Sequence, residues 1–302
     1  MNLNYLATTV IRQWKQFLPD LWLGLIVTSA FYLLAYQFAS PTFYELETAA
    51  YDNAMRLADR PPHPDVKIIA IDDRSIRNIG RWPWTRDILA SAIERLHQGG
   101  ARLIVNTILL SESELDPGYD ALKRLRTSIT NIEADGKSDA DRLAQLKQQL
   151  EQELALLDYD GQLLSSLLTA SNVVLPYEFT TASGKMSASS STDSSADHLQ
   201  SIAIAPSTDQ ALADSAIVVD ELILPLDSFA KAAAGLGFTT VLPDRDGAIR
   251  RQVMLVDHAG SWLPSLALGS SMKALGIDAA QVAWQNDRAL DLKGTMLPLH
   301  NG

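Results

Sequence analysis

The sequence predicts an α/β protein in which one N-terminal transmembrane helix precedes an exported α/β domain with a mixed sheet and an inserted helical hairpin. Three observations predict this class. A long segment near the N-terminus carries no charge, strand-like apolar runs flank an amphipathic helix, and two leucine-rich helical patterns follow one another. The second and third observations together indicate a sheet covered by helices, with the leucine-rich pair as an addition to it.

Composition limits the classes of function. The chain has 302 residues, 47% of them apolar, which is enough for one large domain or two small ones. A formal net charge of −11 argues against a nucleic-acid partner, because polyphosphate would be repelled. The sequence has no cysteine, which excludes disulfides and thiolate chemistry, and its five histidines lack zinc-binding spacing. We therefore expect no bound metal and no cofactor.

The uncharged segment runs from Leu21 to Tyr44 and reads LWLGLIVTSAFYLLAYQFASPTFY. A helix that crosses the bilayer core needs about 20 such residues. Basic residues precede the segment and acidic residues follow it, which by the positive-inside rule keeps the N-terminus in the cytoplasm. We expect a cytoplasmic N-terminus at 1–20, a transmembrane helix at 21–42 in the inner membrane, and a periplasmic domain at 43–302. The flanking charges are Arg12, Lys15, Glu45, Glu47 and Asp52.

Two alternatives to an uncleaved anchor stay open. A cleavable signal peptide would also be apolar, but the segment is long for that, and QFAS lacks the small residue expected two positions before Ala39. A buried helix of a soluble domain is the second alternative. The absence of cysteine is compatible with a periplasmic domain that is large enough to need no disulfides.

A strand–helix–strand unit opens the exported part. VKIIAID, Val66–Asp72, is a continuous apolar run, as expected of a strand covered on both faces. Asp87–Gln98 has one apolar stripe at helical spacing and ends at a Gly-Gly pair, and Arg102–Leu110 is a second apolar run. The order predicts a right-handed βαβ unit with parallel neighbouring strands.

Two segments interrupt the alternation of strands and helices. Leucines and isoleucines at helical spacing on both sides of DGKSD predict a helical hairpin over 118–158. After a further short helix and the strand-like run NVVLPYEF, residues 182–200 are rich in serine and nearly free of apolar side chains. They cannot bury enough surface to offset the entropy of ordering, so we expect a loop there.

The C-terminal third predicts further strands. A strand over Leu236–Leu242 leads into PDRDG, whose Asp-Gly pair indicates a hairpin turn, and then into a strand AIRRQVMLV. Pro264–Gly276 is helical with a glycine stop, and RALDL and MLPLH form a second hairpin. Asn301-Gly302 is a preferred turn pair with no return strand after it, so we expect the natural protein to continue.

The loop after the first predicted strand, IDDRSIRNIGRWPWTRD, concentrates charge and indole rings. It lies where open α/β sheets place ligands, and Pro83 stiffens the hook between the two tryptophans. The rings could stack a planar ligand while an arginine binds its anionic group. Alternatively, the tryptophans plug the sheet edge and the charges pair with each other. Catalysis would need a nucleophile–base pair or a metal cluster, and neither is evident. The candidate ligand-binding residues are Asp72, Asp73, Arg81, Trp82, Trp84 and Arg86.

A second acidic motif allows two interpretations. Asp244 and Asp246 form a D-x-D-G run, which is how a calcium-binding EF-hand loop begins. The distal bidentate glutamate of such a loop does not follow, so a simple turn is the better interpretation. Arg250 and Arg251 come directly after it, and structural ion pairing is the default expectation for them.

Several blocks resemble the second type of CHASE domain, an extracellular sensory module of bacterial membrane receptors. They are VKIIAIDDRSI, GRWPWTRD, GGARLIVNTIL, NVVLP, AGLGFTTVLPDRDGAIRR and WLPSLAL, in the order the family has them, across about 43–302. Family members commonly carry an F-D-x-x-F block on the second strand. Here the aspartate position holds Asn106, whose amide is uncharged, which argues against a cation or proton role. We add Asn106 to the candidate ligand-binding residues.

The resemblance implies an extracytoplasmic sensor domain that passes a ligand- or partner-induced change to a cytoplasmic cyclase or kinase module absent from this chain. The expected partners are an unknown small molecule or protein signal, the membrane, and a second copy in a homodimer. The alternative is an envelope interaction or scaffold module that uses the helical hairpin. A periplasmic enzyme is the third class, and the chain itself offers no catalytic residues for it.

Overall fold

The computed structural model describes residues 22–33, 44–58, 61–114, 117–134, 140–180, 196–206, 216–285 and 289–299. The chain divides into two compact units, Met1–Asp72 and Asp73–Gly302. The first unit contains two helical segments, 22–33 and 44–57. None of the helices within the ranges above is both long and apolar enough to cross a bilayer. Much of the predicted membrane segment, including 34–42, lies outside the described residues, so the span stays a prediction.

The strand predicted over Val66–Asp72 is wrong. Residues 66–72 form no strand, and their apolar side chains face solvent: Ile68 is 90% exposed and Ile69 is 68% exposed. A strand needs a neighbour whose N–H and C=O groups complete its ladder. These residues belong to the first unit, and the described part of that unit contains no strand that could pair with them. An apolar run alone does not supply the partner.

The second unit is built on a mixed four-stranded sheet, as predicted. Its strands are β1 (Ile104–Val105), β2 (Val173–Thr180), β3 (Glu221–Ile223) and β4 (Gly235–Phe238). β2 pairs in parallel with β1 and with β4, and antiparallel with β3. β2 is apolar at almost every position and buried on both faces, which is typical of a central strand. It corresponds to the predicted run NVVLPYEF.

Two helices contribute to the hydrophobic core beside this sheet. After the short helix α1 (Asp73–Ile79), helix α2 (Arg86–Gln98) buries Ala90 and Ile93, three residues apart on one face. The helix was predicted over Asp87–Gln98 from a stripe that includes Ile93 but not Ala90, and the structure confirms the helix. Helix α5 (Tyr159–Ala170) packs against α2 and buries Leu163 and Leu167, four residues apart.

The segment between β1 and α5 contains helices α3 (Pro117–Ala134) and α4 (Ala140–Leu157). They share a small core of Ile129, Leu150 and Leu154, which are all buried. Of the predicted serine-rich loop, 182–195 lies outside the described residues. Its last part is not a loop, because 196–200 belongs to helix α6 (Ala196–Ile202). The apolar Leu199 and Ile202 give that stretch a face that packs on the main core.

The hairpin predicted at Asp246-Gly247 does not form between strands. The turn is present, but residues 248–254 are not a strand, and the next strand, β5 (Leu255–His258), pairs with β6 (Ser261–Pro264). The β5–β6 turn falls at Ala259-Gly260, with φ of 51° and 80°. Positive φ at both positions is what a two-residue hairpin turn requires. At the predicted site, the Asp244 N–H donates to the Ala248 carbonyl at 2.8 Å and the Gly247 N–H to the Asp244 carbonyl at 2.9 Å, and ion pairs with Arg250 reinforce this turn, but no strand ladder continues from it.

Helix α7 (Asp227–Ala232) precedes β4, and helix α8 (Leu266–Leu275) follows β6. The prediction for α8 is confirmed: the Ser265 hydroxyl caps its start, and Gly276 ends it at φ 65°. The predicted second hairpin is confirmed as β8 (Ala289–Leu292) and β9 (Thr295–Pro298), and β8 also pairs with β7 (Ala283–Gln285).

The second unit has two main hydrophobic clusters. The main core contains the four-stranded sheet and its helices, and the C-terminal core contains α8 and the β7–β9 sheet. They join where β4 meets α8 at backbone distance. A Cβ on Gly237 would lie 2.4 Å from Cα of Leu266, so only glycine fits there. The buried Tyr177 hydroxyl also donates to the Pro264 carbonyl at 3.2 Å.

Candidate functional site

The tryptophan hook lies between α1 and α2. Trp82 and Trp84 meet edge to face, with ring centroids 5.4 Å apart. The Trp84 indole N–H donates to the Gly80 carbonyl at 2.8 Å, which closes the loop on itself. Gly80 has φ 126°, a conformation that other residues rarely adopt, so the hook depends on glycine. The polar end of Trp84 is therefore already used by the fold.

Arg86 is the first residue of α2, and its guanidinium is occupied. It forms an ion pair with Asp160 at the start of α5 and donates to the Glu112 carbonyl. It also lies over the Phe229 ring, 5.2 Å from the centroid. The Arg86 side chain is only 12% exposed. These contacts join α2, α5 and α7, so in this structure Arg86 holds helices together.

Asp160 completes this cluster from the other side. It accepts hydrogen bonds from the Ser113 hydroxyl at 2.6 Å and from the Glu114 N–H at 3.2 Å. Glu114 in turn accepts the Arg86 backbone N–H at 2.8 Å. That bond satisfies an N–H at the start of α2, where the Thr85 side chain makes no capping bond. We call Arg86, Ser113, Glu114 and Asp160 the helix-joining cluster.

Nothing in the sequence identifies Asp160 and Glu114 as partners of Arg86. Asp160 stands in the first turn of α5, where a carboxylate is favoured by the helix dipole. That local signal indicates the start of a helix. It does not predict the ion pair with Arg86, because 74 residues separate the two members of the pair.

The other predicted site residues are dispersed. Asp72 ends the first unit, and Asp73 stands in the first turn of α1 in the second. Arg81 is exposed. Asn106 is 7% exposed, and its amide bonds only within its own turn, to the Ile108 N–H at 3.0 Å and the Ile108 carbonyl at 2.9 Å. Among the described residues, no side-chain hydrogen bond joins Asn106 to the hook.

The acidic motif is a turn closed by arginine. Arg250 donates to Asp244 at 3.1 Å and to Asp246 at 2.7 Å, and Arg251 lies 3.7 Å from Asp244. Hydrogen bonds from the Arg250 guanidinium, and from the Ala248 N–H, lower the pKa of Asp246 to about 2. The carboxylates pair with guanidinium groups and do not converge on a point where a metal ion could bind. Within the described residues, no group of three or more acids and histidines could hold a metal ion.

A cavity of about 260 Å³ lies elsewhere, where the main core meets the C-terminal core. Its walls come from α6, the end of α7, β4, the end of α8 and the 3-10 turn Ala279–Gln281. Most of the lining is small and apolar, and the polar groups are those of Ser201, Lys273 and Asp278. None of these three residues was identified from the sequence, because no motif surrounds them.

Comparison with known proteins gives one match. The family model described as the CHASE2 domain matches residues 25–301, nearly the whole chain. None of the curated proteins and none of the solved structures compared with the chain matches it.

Proposed function

The chain belongs to the CHASE2 family of extracellular sensory domains, and we propose that it is the extracytoplasmic sensor of a membrane receptor. In this proposal, binding of a small molecule or a protein changes the conformation of the second unit. The change passes through membrane helices to a cytoplasmic cyclase or kinase. Family membership is the single observation that carries the proposal.

Two features of the chain support this proposal. The segment 21–44 carries no charged residue and is long enough for a membrane anchor, with Arg12, Lys15 and Asp20 before it and Glu45, Glu47 and Asp52 after it. The second unit also contains a cavity of about 260 Å³ whose lining combines small apolar residues with the polar groups of Ser201, Lys273 and Asp278, and which could take a small molecule.

Topology reporters test the location. Alkaline phosphatase and green fluorescent protein are fused separately after Gly302 of the full chain, and matched fusions are made after Gln16. The proposal expects phosphatase activity and no fluorescence for the fusion after Gly302, and the reverse for the fusion after Gln16. Fluorescence after Gly302, or a protein recovered free of membranes, would contradict it.

A homodimer across the membrane is part of the proposal, because two-state signalling needs a movable interface. The chain has no native cysteine, so single-cysteine variants across 22–33 give an unambiguous background. We expect disulfide-linked dimers in membranes with a helical period, since one helix face would meet its copy. Only monomers at every position would argue against the dimer.

A scaffold function is the second candidate, and the surface of α3 and α4 favours it. Leu125 and Leu146 are each 47% exposed, and Leu156 is 63% exposed. Deletion of residues 117–157 separates the two candidates. A sensor keeps its ligand-induced stabilisation, whereas a scaffold loses its envelope partner. At 100-fold over its Kd, a ligand stabilises the folded protein by about 2.7 kcal/mol, which a thermal-shift assay detects.

A further inference from the structure

The cavity between the two cores is lined by two oppositely charged, solvent-exposed residues, Lys273 and Asp278, which no ion pair joins within the described residues. We propose that it binds the zwitterionic head of a small α-amino acid. Lys273 would hold the ligand carboxylate and Asp278 the ligand ammonium group. This inference names the ligand class of the sensor proposed above and therefore rests on that function.

Lys273 stands in the last turn of α8, where a lysine often serves only to satisfy the helix end. Here that role is already filled. The Met272 and Lys273 carbonyls accept the N–H groups of Ile277 and Gly276. Arg102 also donates to the Ala274 carbonyl, and Lys293 donates to the carbonyl of the cap residue Gly276 at 2.6 Å. The Lys273 ammonium is left without a hydrogen bond or ion pair within the described residues.

The aliphatic stem of Lys273 packs beside β4 at this cavity. A Cβ on Gly235 would lie 3.2 Å from Lys273 Cε and 3.4 Å from Cγ, so glycine at this position leaves room for the stem. Lys273 as a whole remains exposed to solvent, as is usual for a lysine whose stem packs on the protein and whose ammonium stays hydrated.

Asp278 begins the 3-10 turn and forms a capping box with Gln281. A carboxylate has about four acceptor positions, so a capping bond leaves others for a ligand. Asp278 and Lys273 line the same cavity, yet no ion pair joins them in the described part of the chain. A cation and an anion that face one cavity without meeting match a ligand that carries both charges. A ligand with only a carboxylate would give Asp278 no oppositely charged partner, and a ligand with only an ammonium group would give Lys273 none.

The dimensions limit the ligand to a small one. The cavity of about 260 Å³ is below the range of about 300–1,000 Å³ typical of drug-sized ligands. A second cavity of about 30 Å³ shares most of its lining and continues between β4 and α8, toward Gly269 and Met272. That space is about the volume of one water molecule or methyl group. A side chain that enters this narrow extension is therefore absent or short, as in glycine, alanine or serine.

Calorimetry on the full 302-residue chain in detergent tests the proposal. Glycine, L-alanine and L-serine are titrated at concentrations up to about 10 mM, above the dissociation constant of about 1 mM expected of a weak ligand. Propionate and ethylamine are the matched probes that carry only one of the two charges. At least one amino acid should bind, and each single-charge probe should bind at least about tenfold more weakly, because one charge-assisted hydrogen-bond set is lost.

Variants assign the binding to this cavity. Lys273→Met keeps the stem and removes the charge, and Asp278→Asn keeps a capping side chain. Each should weaken amino-acid binding at least about tenfold. Lys231→Met is the control, since Lys231 lies on α7 outside the cavity lining and pairs with Asp227 on the surface. Thermal melts without ligand show that each variant folds.

The outcomes are decisive. Absence of binding by all three amino acids overturns the proposal, as does unchanged binding in both charge variants or equal binding of propionate and L-alanine. The sensor function itself fails separately, on the topology reporters. If the reporters place Gly302 outside the cytoplasm and no amino acid binds, the ligand class is wrong and the sensor proposal stands.

Discussion

The ion pair between Arg86 and Asp160 gives the sharpest test of how the charged loop is used. Asp160→Ala removes the carboxylate that faces the guanidinium, together with bonds from Ser113 and Glu114. Removing one partner of a buried pair costs about 3–5 kcal/mol. The two side chains are 12% and 22% exposed, so solvent relieves part of that cost. We therefore expect a loss of about 3 kcal/mol.

Thermal unfolding followed by circular dichroism measures this loss. A change of about 3 kcal/mol corresponds to a fall in Tm of about 6–12 °C, at about 2–4 °C for each kcal/mol in a domain of this size. The control is Asp244→Ala in the turn, which removes a carboxylate from a different arginine. It should have a smaller effect, since Arg250 keeps its bonds to Asp246.

A double-mutant cycle separates the pair from its surroundings. Arg86→Met and Asp160→Leu are measured singly and together, and the coupling energy should exceed about 1.5 kcal/mol, because two side chains in one network do not act independently. If the single effects add within about 0.5 kcal/mol, the pair is not coupled. The guanidinium would then be free for a ligand, and our assignment of Arg86 to the fold would be refuted.

Three further predictions concern other parts of the second unit. In Arg250→Gln, the pKa of Asp246 should rise from about 2 toward its usual 3.8 in an NMR titration. The depressed pKa adds stability above about pH 4 that is lost as the pH falls toward 2, so the variant should show less of this acid dependence; an unchanged pKa would contradict it. Gly237→Ala places a Cβ 2.4 Å from a backbone atom, so it should lower the free energy of unfolding by about 3 kcal/mol in a denaturant melt, or prevent folding. Gly235→Ala brings its Cβ to 3.2 Å from the flexible Lys273 stem only, so it should cost far less. Equal effects would refute the backbone contact. Burial raises the pKa of Tyr177, so stability present below pH 10.0 is lost as the pH rises, and Tyr177→Phe should remove that alkaline loss while costing about 1–3 kcal/mol at neutral pH; melts that respond to alkali like the wild type would contradict this.

Local signals were sufficient to predict helices α2 and α8, but not the short helices α1, α6 and α7. α2 and α8 each have an apolar face that repeats within a few residues, and α8 also has Ser265 before it and Gly276 after it. Both cues act between residues close in sequence, so one sequence contains all the information needed. The turn at Lys293-Gly294 followed in the same way, from a short polar break between two apolar runs.

Nonlocal pairing set the limit of prediction. Val66–Asp72 has the composition of a buried strand, but composition does not say which strand lies beside it, and the structure leaves it unpaired. At the candidate site the same limit applies to Arg86. The many charged residues near it in the sequence suggested that it binds a ligand. Its partner lies at the start of a helix far along the chain. The charges at Lys273 and Asp278 had no sequence signal, because the fold alone brings them to one cavity.

The position of the cavity determines which parts of the domain a ligand could move. On one side of it, β4 and α8 approach so closely at Gly237 that no Cβ fits between their backbones. Tyr177 ties the central strand to the same place through the Pro264 carbonyl. That side is a rigid wall. The other side consists of the short helix α6 and the 3-10 turn, each held by few contacts. A ligand bridging Lys273 and Asp278 would therefore draw the turn toward α8 and leave the sheet unchanged. The β7–β9 sheet, which follows that turn in the chain, is consequently the part of the domain that would report binding.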